Sequence, residues 1–345
     1  MRTIGRALVL IGAAATLLTP AVSGPAGADN IADFYRGKTI TVVNGGGSGG
    51  GSAVYTQVLI PLLQKYMPGH PNFVIQYMPG AGGARAANYV YAAAPKDGTV
   101  LGRPLQEVAF FALLGAPGLQ YDAAKFQYIG GAYTARSTIS VMKQFTPVRT
   151  IEDAKRSEVI VAAGGKASQP YMYPTLANAL VGTKFKLVMG YPGTGAMNIA
   201  MERGEVHGRA GSWNSFKGSK PYWIEKDMLA NLAVIGLDRE PDIPDVPLLS
   251  EFVTDPADKL LMEVVASTAL FAHAWLAPPG VPSDRVAALR EAFAKALNDP
   301  ELIEQMKKRQ AELDFISWRQ LHDAVDKQMK VEQRSVERLK AILDL

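Results

Sequence analysis

Apolar positions along this chain switch repeatedly between two spacings. Ile40 to Val43 is a short continuous apolar run that predicts a buried strand. After a glycine loop, Val54, Val58, Leu59, Leu62, Leu63 and Tyr66 recur at helical spacing. Phe73 to Tyr77 predicts a second strand and Ala84 to Ala93 a second helix, and Lys96-Asp97-Gly98 turns the chain into Thr99 to Gly102. This strand–helix alternation predicts a parallel sheet with right-handed crossovers. A similar block follows. Glu158 to Ala163 and Phe185 to Val188 read as strands, Pro174 to Leu180 and Ala196 to Arg203 as helices, and Val206 to Ala210 as a further strand. Phe126 to Met142 and Leu232 to Leu237 are placed to cross between the two blocks. In the tail, Ser283 and Ser317 are N-cap candidates for the apolar series Val286, Leu289, Phe293, Leu297 and Trp318, Leu321, Val325, Met329. The fold class expected is α/β, in two lobes.

Composition narrows the setting. The 345 residues are 48% hydrophobic and 20% charged, as expected of a folded chain of one large or two smaller domains. Met1 to Arg6 is a basic start, Ala7 to Leu18 an apolar stretch of secretory length, and Ala26-Gly27-Ala28 resembles a cleavage site. A signal peptide over 1–28 and a mature start near Asp29 are expected, and with them a periplasmic location. Cysteine is absent, which excludes disulfides and a lipid-anchoring cysteine. The formal charge of +4 includes Arg2 and Arg6 of the leader. With no basic stripe carrying interleaved aromatics, nucleic acid is not an expected partner.

The candidate chemistry lies in two glycine clusters, each between a strand and a helix. The first runs Gly45 to Ser52 and the second Pro79 to Gly83. Loops without side chains expose backbone N–H groups, and the following helix N-terminus favours an anion. The backbone donors expected to hold it are Ser48, Gly49, Gly50, Ala81, Gly82 and Gly83. Other chemistries fit less well. Gly45, Gly47 and Gly50 satisfy G-x-G-x-x-G, but the second strand ends in Gln76-Tyr77-Met78 without the acidic residue that would hold a ribose. No Gly-Lys-Ser/Thr follows for a phosphate loop. His70, His207, His273 and His322 are scattered, without metal-ligand spacing. Gly46-Gly47-Ser48-Gly49-Gly50 matches a nucleophile elbow only through its glycine content. No cofactor, metal or catalytic residue is expected.

Arg136, near the first crossing segment, is suited to clamp a carboxylate through its planar fork. Arg103, Lys166 and Arg209 follow strands or sit in a loop and are further cationic candidates. Tyr133, Tyr171, Tyr191 and Trp213 offer faces for an apolar ligand body.

Taken in order, several segments resemble the extracytoplasmic solute receptors of tripartite tricarboxylate transporters, the Bordetella uptake gene family. They are Gly37-Lys38-Thr39-Ile40 with its glycine loop, Met78 to Gly83, Ala94 to Thr99, and Tyr191 to Gly195 leading into Glu202 to Val206. Arg239 to Pro247, Ala277 to Pro282 and Ala296 to Pro300 complete the series, so the resemblance spans nearly the whole mature chain. It implies a Venus-flytrap periplasmic binding protein, type II-like, with two crossover segments. It also implies a carboxylate held between the loops 45–52 and 80–84 of one lobe and 164–168 and 191–195 of the other. Ser52, Gly165, Ser168, Tyr191, Gly193 and Thr194 join the expected contacts on this ground. The chain departs from the family pattern at Ala53, where Asp is frequent, at Ala163, where Ser is frequent, and at Tyr171, where His is frequent. A site built from backbone groups tolerates those changes.

The expected organisation is lobe 1 over 29–130 and 237–316, lobe 2 over 131–236, and a C-terminal helix over 317–345. The expected function is capture of an aliphatic or aromatic mono- or dicarboxylate by a monomer, for delivery to the permease subunits of a tripartite tricarboxylate-type transporter. A ligand sensor acting on a membrane signalling partner is the alternative, and a periplasmic carboxylate-processing enzyme a weaker one.

Overall fold

The computed structural model describes residues 26–48, 51–166, 168–309 and 311–345. The expected leader lies outside them except for its last residues, which begin the helix Ala26–Tyr35. Among the described residues the strands are β1 (Thr39–Asn44), β2 (Asn72–Tyr77), β3 (Val100–Arg103), β4 (Gln127–Gly131), β5 (Ser137–Met142) and β6 (Val159–Ala162). They continue as β7 (Phe185–Val188), β8 (Gly208–Ser212), β9 (Leu229–Ile235), β10 (Ala274–Ala277) and β11 (Ile316–Ser317). They form two sheets, ordered β11-β4-β10-β3-β1-β2 and β7-β6-β8-β5-β9.

Each sheet has a parallel centre. β1 pairs in parallel with β2 and β3, and β6 with β7 and β8. The sheets are nevertheless mixed rather than wholly parallel. β10 runs antiparallel to β3 and β4, and β5 antiparallel to β8 and β9. The connection explains this. β4 ends at the same edge as the parallel strands of its sheet, and after five intervening residues β5 begins in the other sheet. A strand entering from that edge must run away from it. The carboxyl ends of β1, β2 and β3 therefore share the edge at which the chain crosses, as do those of β6, β7 and β8.

Packing follows the apolar periodicity. Leu59, Leu62 and Leu63 of the helix Gly51–Tyr66 meet Leu289, Phe293 and Leu297 of the helix Ser283–Leu297 beside the first sheet. On the second sheet, Ile139, Val141, Val159 and Val161 pack with Leu176 of the helix Gln169–Val181. Segments from elsewhere complete this second core. Phe110, Phe111 and Leu114 come from the helix Val108–Leu114, and Leu249, Val253 and Leu261 from the stretch expected in lobe 1.

The tail forms two helices instead of the single one expected over 317–345. Trp318–Met329 starts with Ser317 Oγ accepting from the Gln320 N–H at 3.3 Å, and Gln333–Leu343 follows after a break. The two have different destinations. Leu321 and Val325 are buried beside the first sheet, whereas Val336, Leu339 and Leu343 enter the core of the second.

Candidate functional site

Three loops converge at the carboxyl edge of the first sheet. Asn44 closes β1 by donating from Nδ2 to Thr56 Oγ1 at 3.1 Å and accepting at Oδ1 from the Gly46 N–H at 2.9 Å. After β2, Gly80, Ala81, Gly82 and Gly83 all adopt positive φ, at 136°, 47°, 60° and 89°. This tight turn lies directly on the third loop: a Cβ at Gly83 would stand 2.7 Å from the Leu105 nitrogen, and one at Gly45 3.2 Å from Pro104 Cα. Glycine is needed at Gly83 for conformation and for space together.

Opposite these loops lie the carboxyl ends of β6, β7 and β8, and between the two sets is a cavity of about 270 Å³. Gly82, Leu105 and Glu107 line it from the first sheet. Ser168, Gln169 and Pro170 line it from the start of the helix after β6, and Thr194 from the helix after β7. The remaining wall is β8 and its turn, Arg209 to Ser212 and Ser215. The size suits a small metabolite at the lower end of the usual range of ligand cavities.

Arg209 dominates the electrostatics of that wall. Only 1% of it is exposed, its Nε donates to Asn198 Oδ1 at 2.8 Å, and its guanidinium stacks 3.8 Å from the centre of the Phe216 ring. Its Nη atoms make only long contacts, to Ser215 Oγ and the Ala210 carbonyl, each at 3.4 Å. Every one of these partners is neutral. Burial lowers its pKa to about 9, so at neutral pH it is a cation, and no carboxylate among the described residues pairs with it. The Ser168 hydroxyl, which lines the same cavity, is buried and has no hydrogen-bond partner among the described residues.

Glu107 is the opposite case on the other wall. It is 7% exposed, and Oε1 accepts from Gln169 Nε2 at 3.1 Å. Burial pushes its carboxyl up to about 7.

Outside the cavity, Glu240, Asp242 and Glu312 bring carboxylate oxygens within 4.8 Å of one another. The Lys217 ammonium already supplies a cation there, donating to Asp242 at 2.6 Å and to Glu312 at 2.8 Å. Lys217 follows β8 and Glu312 precedes β11, so the contact joins the two sheets.

Of the residues expected in the site, Gly82, Ser168 and Thr194 come together in the cavity. Ala81 and Gly83 flank Gly82. Ser48 and Gly165 are exposed, Tyr191 packs against the cluster around Trp213, and Gly193 precedes the first residue of its helix. Gly49 and Gly50 lie outside the described residues, as does the side chain of Ser52. Arg136 does grip a carboxylate, but that of Asp238, and it is not part of the cavity wall. Glu107 and Gln169 were not anticipated. Their signal was positional: Pro104 to Glu107 is a third loop at the end of a parallel strand, and ligands in such sheets gather at those ends.

Solved structures with this architecture are numerous in kind and distant in sequence. A TctC solute binding protein from Polaromonas is 18% identical, with a TM-score of 0.66 over 90% of this chain and 99% of that one. MatC from Rhodopseudomonas palustris, with bound malate, is 22% identical, with a TM-score of 0.63 over 89% and 99%. A further R. palustris protein, with adipate, is 21% identical, with a TM-score of 0.64 over 89% and 97%. This is the two-lobed periplasmic binding protein fold. No protein-family model and no curated protein matches the sequence. The cavity just described lies between the two sheets, and residues 132–136 carry the chain from the first sheet to the second.

Proposed function

We propose that this chain is a periplasmic solute receptor of the tripartite tricarboxylate transporter type, which captures a small organic carboxylate in the cleft and presents it to membrane permease subunits. The observation that carries the reading is Arg209, a buried cation with neutral partners only, lining a cavity of metabolite size. A buried charge left unpaired is costly, and a carboxylate accepted in bidentate fashion would offset that cost. Ser168, Thr194 and the backbone at Gly82 supply further hydrogen-bonding groups. The resemblance of the sequence to this receptor family, and the malate and adipate bound by two proteins of the same fold, point the same way. The Ser168 hydroxyl, without a hydrogen-bond partner among the described residues, is available to a ligand. The division into lobe 1 over 29–130 and 237–316 and lobe 2 over 131–236 belongs to this proposal, as do the monomeric state and location. The helices at 108–114 and 256–267 would then bridge the lobes from behind.

The test is a thermal-shift screen of the purified protein against carboxylic acids, followed by calorimetry on the hits. A ligand at a hundred times its Kd adds about 2.7 kcal/mol of stability, a readily visible shift. Stabilisation by a carboxylic acid that disappears in Arg209→Gln supports the reading. Stabilisation that survives this substitution unchanged removes Arg209 from the site, and with it the main support.

A further inference from the structure

The cavity carries a buried guanidinium and a buried carboxyl group, and among the described residues no side chain of opposite charge pairs with either. Arg209 stands in the wall from the second lobe with the neutral partners Asn198, Ser215 and Ala210. Glu107 stands in the wall from the first lobe with the neutral partner Gln169. Both residues line the same cavity of about 270 Å³, and both are more than nine-tenths buried.

A receptor for a plain diacid has no use for the second of these. A carboxylate entering beside Glu107 meets like charge in a poorly solvated place, which raises the cost of binding. A primary ammonium entering there finds an acceptor, and the same approach relieves the buried acid. The protein keeps the two charges apart. Glu107 is held by the Gln169 amide, which itself accepts from Ser137 Oγ at 3.3 Å, and Arg209 is held by Asn198 and the ring of Phe216. Each side chain is tied to its own neutral partner, and both belong to the wall of the same cavity.

We infer that the ligand is an amino acid or related amino-carboxylate, bound with its carboxylate at Arg209 and its ammonium at Glu107. This rests on the carboxylate-receptor reading and narrows it to a zwitterionic class, with Glu107 as the residue that selects it. The lateral walls, Leu105 and Pro170 among them, enclose the connecting carbons.

The experiment is a calorimetric comparison of two ladders on the purified protein: straight-chain diacids of four to six carbons, and amino acids of the same carbon count with the amine at the α or the terminal position. At least one amino acid should bind about tenfold or more tighter than the matched diacid, the scale of one charge-assisted hydrogen bond. In Glu107→Gln, which keeps the acceptor of Gln169 and the shape of the wall, that preference should fall to within about threefold as amino acid affinity drops. A wild-type protein that prefers diacids overturns the inference while leaving the carboxylate receptor standing, and this arm does not depend on any variant. A preference for amino acids that Glu107→Gln leaves intact also overturns it. Silence from both ladders overturns the receptor reading and this one with it.

Discussion

The guanidinium of Arg136 holds the carboxylate of Asp238 through two bonds, Nε to Oδ1 at 2.9 Å and Nη2 to Oδ2 at 2.8 Å. These residues lie on the two segments that cross between the sheets, one leaving β4 for β5 and the other leaving β9. On the two-lobed reading proposed above, the pair would brace the chain beside the point where it passes from one lobe to the other. The carboxylate side is largely exposed, so its direct worth is modest, on the order of 0–1 kcal/mol. Asp238→Asn should accordingly lower stability by no more than about 1 kcal/mol in chemical denaturation. Its larger effect should fall on the rates of ligand binding and release, read by stopped-flow fluorescence, because a loosened brace shifts the balance between open and closed lobes. Unchanged rates would show that the brace plays no part in closure.

On the proposed reading, Arg209 costs the ligand-free protein stability and gains it ligand affinity. Replacing it with Met removes a buried charge with no acidic partner and leaves a side chain of related length on the ring of Phe216. The ligand-free protein should melt no lower than wild type, and carboxylate affinity should fall by about two orders of magnitude, as when one partner of a buried charge pair is removed. Differential scanning fluorimetry with and without ligand checks both halves. A large drop in the ligand-free melting temperature would mean that the guanidinium is structural.

The contrast between Arg136 and Arg209 shows how far the sequence could be read. One arginine stands at the predicted crossing segment and the other beside a predicted strand, and the side-chain chemistry of each suits a carboxylate. What separates them is whether the fold already provides one, and that depends on Asp238, a residue 102 positions away from Arg136. Elements carried by local periodicity were legible: β1, β2, β7 and the helix at 51–66 stand close to their expected bounds. β10 and β5 escaped the parallel pattern because their direction follows from where the chain crosses between sheets. The break at residues 330–332 was hidden because the apolar spacing of the tail continues on both sides of it, while the two halves face different cores. Glu107 was passed over because nothing local distinguishes a loop carboxylate that ends up buried.

Two buried glutamates should give the protein an unusual pH response. Burial raises Glu107 and Glu240 from 4.5 to about 7, with Glu312 and Asp242 adding to the effect at Glu240 and Arg136 opposing it. The folded state thus binds these protons more tightly than the unfolded chain does. Their contribution is fully present below about 4.5 and is lost as pH rises through about 7. Asp299 behaves in the opposite sense: Lys65 and Tyr66 hold it down to about 2, so its contribution fades only as pH falls from 3.8 toward 2. His273 and His207, held below 6.5 by burial, oppose the glutamates over the same window. The test is therefore a difference: between pH 5 and pH 8 the ligand-free Glu240→Gln protein should lose less stability, relative to its own value at pH 5, than wild type does. An unchanged loss in the variant would place the titration elsewhere.

Gly83 makes a sharper test of the loop geometry. An alanine there must take φ near 89° and put its Cβ 2.7 Å from the Leu105 nitrogen. We expect Gly83→Ala to cost about 1–3 kcal/mol of stability, the scale of a non-glycine residue in a strained backbone well. It should also weaken ligand binding, because Leu105 forms part of the cavity wall. Ala81→Gly, at φ 47°, removes strain and should be neutral or slightly stabilising. Urea titration of the two variants compares them directly.

The end of the chain reaches back to the second lobe. Tyr171 donates to the Leu343 carbonyl at 3.2 Å, Lys166 pairs with Asp344, and Leu339 is fully buried. Leu339→Ala should cost about 2–5 kcal/mol, as for other fully buried leucines, and lower the denaturation midpoint accordingly.

Neither sheet is finished by the residues around it in sequence. The first waits for β10 and β11 near the end, and the second for a helix that ends two residues before the last. During synthesis, then, the first sheet stays open until residues 274–317 have emerged and the core of the second until residues 333–343 have, so two halves built from interleaved stretches must settle together. Unfolding should show the mark of this arrangement: one shared transition for probes placed in either half, where two independently folded domains would give two.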